Sequence, residues 1–597
     1  MKRIFLLLLF AYSAKLVHAQ PVTEYWDDDK KKKKEEQNFL HGIPHGKYTL
    51  WYENGKVDRT GYYNMGLDSG EWKSFYDDGK PKASETYFRG KKNGKCSYWY
   101  KNGQKAQDAF YKHDVPDSVW TGWYEDGKMR SVETYKAYDD KNTWVFRKNG
   151  KWTYWGQNGN IQNDATYVND SLDGSFTEWY DNGNLNKRGN YSHNKEVGKW
   201  EFWYENGKKK QETEFRGEDY FVWSYWNSRG EQQVKDGNGK YEMDIPQKGQ
   251  HCTGNMKNGK QDGLWILTAI GKGNKQHELT YVEGKLNGPC KNFFDDGTLK
   301  SEGQYKNDKQ NGYWKWYNEN GKLNMEGTLD MEVRTGKWIY YYSSGTKESE
   351  GNYKEDKLDS VWNFWYESGN KFKQGNYVNS FREGLWTFWY DTSTAQKAQE
   401  GPYLKSRQNG HWISWYPNGQ PKDEGDFKNG VADGKWTGWH ANGKMSYEGT
   451  YKDSLKSGEW NYYFPSGKKS MMGSYKKGLK DGHWITWLEK VDAKQDEGDY
   501  IDGVKDGKWS FYYDFGGLFK VQGFRYGKPH GKCITYYEDG KIQSKTQYLL
   551  VRHDKNSEWI SIKWGTWTFY DQSGKVVSRK KYPEKHKVDN KPKKKKK

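Results

Sequence analysis

The apolar positions of this chain repeat on two scales. Within short runs, large aromatic residues alternate with Lys, Glu, Ser and Thr, the period-two pattern of a half-buried strand. Between runs, the whole pattern returns about every 24 residues, as in G-K-W-T-G-W-H-A-N-G-K-M-S-Y-E-G-T-Y-K-D-S-L-K-S from Gly434 and G-E-W-N-Y-Y-F-P-S-G-K-K-S-M-M-G-S-Y-K-K-G-L-K-D from Gly458. A fixed period of this length marks a solenoid or array and argues against a compact catalytic domain. With the first aromatic of each unit taken as its anchor, about 22 units run from Tyr48 through Trp72, Trp120, Trp200, Trp223, Trp362, Trp436 and Trp460 to Trp567. The step is shorter after Trp223. It is longer after Trp120 and after Cys533, which predicts loop insertions there.

Each unit reads as one β-hairpin. Six and seven residues past the anchor stand Asn54-Gly55, Asp78-Gly79, Asn182-Gly183, Asn442-Gly443 and their counterparts. Asn-Gly and Asp-Gly suit the positive φ angles of a two-residue type I′ turn. That turn sets Trp436 opposite Gly449 and Tyr451 opposite Gly434, so each ring is expected to cover a glycine on the neighbouring strand. Strand alternation collects these four residues on one face. A second aromatic, three residues past the anchor, falls on the other face: Trp99, Trp123, Trp179, Trp203, Trp365, Trp389 and Trp439. The predicted architecture is all-β, tandem hairpins pairing edge to edge into one elongated, twisted antiparallel sheet. Each unit then contacts only its neighbours.

Composition supports a thin sheet. Only 33% of the 597 residues are hydrophobic and mean hydropathy is -1.26, yet the chain holds 33 Trp, 49 Tyr, 24 Phe and 68 Gly. Aromatics at this density exclude disorder despite 30% charged residues. Residues 1–19 read as a secretory signal peptide: a basic start at Lys2-Arg3, an apolar stretch from Ile4, and Val17-His18-Ala19 before Gln20. No later segment approaches the length of a transmembrane helix. Residues 20–41 form a charged N-terminal segment, 42–575 the repeats, and 576–597 a basic disordered tail. Of the net charge of +18, residues 575–597 carry +10, the leader +3 and residues 20–36 −1, leaving only +6 over residues 37–574. That near balance excludes a nucleic-acid groove. The charged ends are expected to keep the terminal strands from pairing with other chains.

Gly449-x-Tyr451, Gly458-x-Trp460 and Ser466-Gly467 resemble the MORN repeat, in the bacterial variant grouped with the YwqK-type antitoxin family. The resemblance covers residues 42–575. It implies tandem hairpins and a binding or scaffolding role, since related eukaryotic proteins are linked to membranes, lipids and protein assembly. It carries over no catalytic residue. The antitoxins themselves are much shorter intracellular chains.

Candidate chemistry is sparse. Cys96, Cys290 and Cys533 occupy anchor positions and read as small packing residues. Cys252 and Cys290 are separated by more strands than a disulfide spans. The 13 histidines show no HExxH spacing, and His45, His411, His483 and His530 read as surface loop residues beside the first glycine of their units. Asp77-Asp78 and Asp295-Asp296 read as turn residues, not an acid–base pair. No catalytic, cofactor or metal site is expected. The chain reads as a secreted or envelope-located, non-enzymatic scaffold that binds a protein partner. The seven second-face tryptophans are the candidate contact residues. Alternatives are a carbohydrate- or anionic-lipid-binding envelope protein using the same aromatic face, and an antitoxin-like immunity protein.

Overall fold

The computed structural model describes residues 20–552, 554 and 557–582. The expected leader and residues 583–597 of the expected tail lie outside the described residues. The chain divides into two units, Met1–Leu286 and Asn287–Lys597, each built from the same repeat.

In the second unit, strands such as Leu323–Asp330, Val333–Tyr341, Lys347–Lys354, Lys357–Trp365 and Lys371–Val378 follow one another. Each pairs antiparallel with the strand before and the strand after. The all-β hairpin architecture is therefore as expected, an open antiparallel sheet that does not close into a barrel. This unit ends with Val576–Lys581 paired to Thr566–Tyr570, so the sheet runs past the expected boundary at 575. After Cys533, Ile542–Val551 pairs antiparallel with Ile560–Lys563.

In the first unit, Gln20–Tyr25 pairs with Lys33–Leu40, which pairs with Ile43–Trp51. The charged N-terminal segment is therefore itself largely strand, with Gln37 buried. The long step after Trp120 is not a loop. It lengthens Met129–Asp140, which pairs first with Thr143–Lys148 and then with Gly150–Trp155. After Trp223 the repeat shortens around Gln232–Lys235, and a 3-10 turn, Pro246–Lys248, follows.

The register matches the sequence reading, with Trp436 opposite Gly449 and Gly434 opposite Tyr451. The turn chemistry does not. At Asn54-Gly55 only the glycine has positive φ, at 83°. Gly55 N–H donates to the Tyr52 carbonyl at 2.9 Å and Tyr52 N–H to the Lys56 carbonyl at 2.8 Å. This is a three-residue loop, a type I turn closed by a left-handed glycine. Asn is chosen for its side chain: Asn54 Oδ1 accepts from Lys56 N–H at 3.0 Å, and its Nδ2 donates to the Asp77 carbonyl of the next turn at 2.7 Å. The type I′ turns lie at the opposite edge, between units, at sites such as Asp453-Ser454 and Asn379-Ser380, where both residues have positive φ.

The glycine contact is also displaced by one unit. A Cβ on Gly449 would lie 2.1 Å from Trp460, and a Cβ on Gly351 2.2 Å from Trp362. Where the preceding unit has a glycine at this position, the anchor tryptophan therefore covers it. A bulge makes this possible: between the pairs Glu448↔Asn461 and Thr450↔Ser457, Gly449 faces three residues that include Gly458 and Trp460. Gly458, with φ of 66°, supplies the left-handed turn of that bulge. Ser360 and Ser118 hold the same backbone conformation without being glycine, at φ of 59° and 56°.

The indole explains why tryptophan dominates the anchor position. Trp338, Trp362, Trp386, Trp460 and Trp484 each donate Nε1–H to the carbonyl ten residues upstream, at 3.0–3.2 Å. These five buried rings thus leave no polar atom unpaired, whereas the buried Trp72 Nε1 has no partner. Tyr353 and Tyr377 stand edge-on to Trp362 and Trp386, with centroids 5.3 and 5.1 Å apart. Cys96, Cys290 and Cys533 are buried anchors as expected, and all four cysteines are free. Burial pushes the Cys290 thiol up to about 12.

Two substitutions test this account in opposite directions. Gly351→Ala should destabilise the surrounding hairpins by about 2–3 kcal/mol, because the methyl group occupies the Trp362 ring position. Ser360→Gly should stabilise them by about 0.5–1 kcal/mol by relieving a left-handed non-glycine residue. Hydrogen exchange of amides in residues 338–388 reads both. Equal effects of the same sign would show that the bulge does not set the local stability.

Candidate binding face

All seven second-face tryptophans are only half-buried. Trp362 and Trp386, by contrast, are 2% and 0% exposed. The anchors pack ring against ring along one face, as in the cluster of Trp362, Tyr377 and Trp386 with Phe364 and Phe388. None of the seven second-face rings makes an aromatic contact. Five of them meet cations instead: Lys105 lies 6.0 Å from the Trp99 centroid and 5.6 Å from that of Trp123, Arg188 5.3 Å from Trp203, Lys347 5.1 Å from Trp365 and Lys371 5.3 Å from Trp389. The sequence division into two aromatic faces therefore holds. The second is a cation-covered face with each indole reachable from solvent.

Backbone contacts fix these rings. The Tyr342 hydroxyl donates to the Trp365 carbonyl at 2.8 Å, Tyr366 to Trp389 at 2.9 Å and Tyr416 to Trp439 at 2.9 Å. In the first unit, Tyr76, Tyr100 and Tyr180 do the same for Trp99, Trp123 and Trp203, at 2.8–3.0 Å. This tyrosine, four residues past the anchor, was missed in the sequence reading. Its signal is plain in retrospect: a tyrosine directly after the second aromatic and before the turn.

A carboxylate belt runs between the tryptophans. Glu350 accepts Lys347 Nζ at 2.9 Å and Lys337 Nζ at 3.2 Å. Where the second aromatic is tyrosine, its phenol bonds the preceding glutamate, as Tyr341 does to Glu326 at 2.7 Å. Burial works to raise the Glu350 carboxyl, but the hydrogen bonds from Lys347 and Lys337 outweigh it and hold it below the usual range. Glu400 and Glu497 are lowered by the same balance, through Lys397 and Lys494.

One anchor is misassigned. Trp223 is half-buried, while Val222 and Tyr225 are 2% and 3% exposed and fill the anchor face. A bulge at Glu212/Thr213, where Thr213 stands in place of the usual glycine, turns Trp223 to the second face. There its Nε1 donates to Glu214 Oε2 at 3.0 Å. It closes one end of a groove of about 650 Å³ lined by Arg188, Asn190, Lys199, Glu201 and Glu212. Tyr48, Trp120, Phe176 and Trp436 also stay half-buried.

The remaining candidates are placed as follows. His411 and His483 lie in strands, not loops, with Nδ1 3.2 Å from Asp426 and 2.9 Å from Asp499. Asp78 and Asp296 cap their turns, accepting from Lys80 and Thr298 N–H at 3.0 and 2.8 Å. Among the described residues, no three His, Cys, Asp or Glu side chains converge to hold a metal. No described helix is long and apolar enough to cross a membrane.

Removing a ring on each face should separate their roles. Trp362→Ala should cost about 3–5 kcal/mol of local stability, and Trp365→Ala about 1 kcal/mol, the scale of one lost cation–π contact. Equal losses, read by urea-dependent exchange, would sink the two-face division. Acid should loosen the carboxylate belt. The folded carboxyls titrate lower than the unfolded ones, so their contribution is complete above about pH 4.3 and is lost as pH falls through the lowered value. Glu350→Gln should flatten that decline in stability measured between pH 5 and 3.

Comparison with known proteins gives one specific match. The family model for the MORN repeat variant matches thirteen segments: 44–65, 69–88, 92–113, 116–137, 148–169, 172–193, 196–216, 286–307, 310–330, 334–355, 408–429, 432–453 and 529–549. A search of curated proteins finds no match. Solved structures that align include two of the TcdB2–TccC3 complex, each at 9% identity and a TM-score of 0.12, covering 92% and 94% of this chain. The Tc holotoxin pore of Photorhabdus luminescens aligns at 10% identity, over 94% of this chain, also with a TM-score of 0.12. The chain spans only about a third of the length of those proteins, at 31%, 32% and 34%.

Proposed function

This chain belongs to the MORN repeat variant family, and from that premise we propose that it is a non-enzymatic scaffold that binds protein partners through its second aromatic face. The observation that carries this reading is the contrast between the faces. Most anchor rings are consumed by packing, whereas Trp99, Trp123, Trp203, Trp365 and Trp389 are fixed through their carbonyls and roofed by Lys or Arg side chains, of which Lys105, Arg188 and Lys347 also pair with carboxylates. Half-exposed tryptophans that cations can uncover are typical anchors of protein interfaces. Their recurrence supplies several equivalent contacts, so weak single sites add through avidity. The leader-like residues 1–19 favour action at the cell envelope or outside the cell.

The test is capture from cell-envelope extract with residues 20–597 as bait, one half of the extract being protease-treated beforehand. Protein capture that disappears after proteolysis, and weakens at least fivefold in Trp365→Ala/Trp389→Ala, is the expected result. Capture that survives proteolysis and is lost in Trp365→Ala/Trp389→Ala would overturn the protein-scaffold reading of this face in favour of a glycan or lipid. Capture indifferent to the tryptophans would remove the second face from the function.

A further inference from the structure

The anchor face of the second unit carries a feature that its packing does not require. Four residues before the anchors Trp460, Trp484 and Trp509 stand Lys456, Lys480 and Lys505, one per successive repeat. Each ammonium lies over its own anchor ring, at 4.3, 4.1 and 3.8 Å from the centroid. Elsewhere the position varies: Leu358 is apolar, Glu196 acidic, Lys92 pairs with Glu85 at 2.6 Å and Arg334 with Asp356 at 2.9 Å, while Lys148, Arg382 and Lys563 lie singly over their own anchors at 4.3, 4.7 and 4.9 Å. In this row counter-charge is sparse: Asp496 is the carboxylate paired with a lysine of the row, Lys505. Lys456 donates to the Tyr462 hydroxyl at 2.7 Å and Lys480 to the Met471 sulfur at 3.3 Å; Lys505 comes no closer than 3.8 Å to Asp496.

Burial holds all three ammonium groups below the ordinary lysine range. For Lys480, Asp496 opposes that effect, while Lys505 and Lys456 add to it. Lys480 therefore senses both neighbouring lysines, with Asp496 the carboxylate that opposes them. Between them stand the half-buried Tyr462, Tyr475 and Tyr500, with Tyr462 and Tyr475 hydroxyls 3.2 Å apart.

We propose that Lys456, Lys480 and Lys505 form a binding track for an acidic polysaccharide, each lysine taking one carboxylate or sulfate. Successive lysines are one hairpin apart, about 10 Å for two strands, a spacing suited to a chain charged on alternate sugars. The tyrosines offer ring edges for the apolar faces of sugars and hydroxyls for their polar rims. A nucleic-acid strand fits poorly, because its charges recur about every 3.4 Å and its bases need open rings for stacking. Here Trp460, Trp484 and Trp509 are each only 1% exposed. An extended acidic peptide presents same-side charges about 6.6 Å apart, out of step with the row.

The test uses the full chain and polygalacturonate as probe, with neutral dextran, polyglutamate, inorganic phosphate and phosphatidylglycerol vesicles as separate arms. Lysine acetylation of the unmodified protein is read by mass spectrometry. Polygalacturonate should protect Lys456, Lys480 and Lys505 at least fivefold while the exposed Lys452 and Lys476 stay reactive. Protection of none of the three, or of all five alike, overturns the track. Protection by dextran, or stronger protection by polyglutamate or vesicles, overturns the glycan assignment. Lys456→Gln/Lys480→Gln/Lys505→Gln should weaken polygalacturonate binding at least tenfold. A folded triple variant that binds within twofold of the parent also overturns the proposal. If that variant does not fold, the acetylation pattern decides.

Discussion

The contact of an indole with a bare glycine is the constraint on which the rest of this structure depends. A single sheet has no second layer to bury its aromatic face, so the cover must come from within the sheet. Removing the Cβ from Gly351 or Gly449 lets the next anchor ring lie flat on backbone, and the left-handed residue two positions before that anchor bends the strand to deliver it. The indole N–H then finds a carbonyl ten residues upstream. Burial, hydrogen bonding and inter-unit cohesion are met by one residue. This is why 24 residues suffice for a unit that would be too small to fold alone.

The two edges solve a different problem. Loops that carry Asn-Gly are joined from unit to unit by Asn, Lys and Tyr side chains that reach the next loop, as Asn442 and Lys444 do toward Pro465 and Ser466. At the opposite edge, the side chain of the second turn residue accepts from the preceding unit, as Ser454 does from Ala432 N–H at 3.0 Å. Polar groups that ordinary hairpins leave to solvent are thus used as inter-unit ties. They leave the second face free of structural duty except at its carbonyls and its carboxylates.

That freedom gives the face its functional interest. A half-buried tryptophan under a lysine can exchange the lysine for a partner at little structural cost, whereas an anchor tryptophan cannot move without uncovering a glycine. The lysine row beside Trp460, Trp484 and Trp509 is a second case of the same logic: cations are placed where the fold does not need them and where burial makes them seek anions.

The repeat, its period, the strand register and the division of aromatics between two faces were legible in the sequence, because each depends on residue type at a fixed offset within one hairpin. Trp436 opposite Gly449 follows from counting alone. Which ring covers which glycine did not, because that contact crosses to the next unit and requires a bulge. Nor did the turn types, since Asn-Gly serves a type I′ turn and a type I turn with a left-handed glycine equally well, and cross-unit hydrogen bonds select between them. Trp223 was misread because its spacing is that of an anchor. Only the tertiary structure shows that Thr213, where a glycine should be, leaves no room for the ring and sends it to the other face.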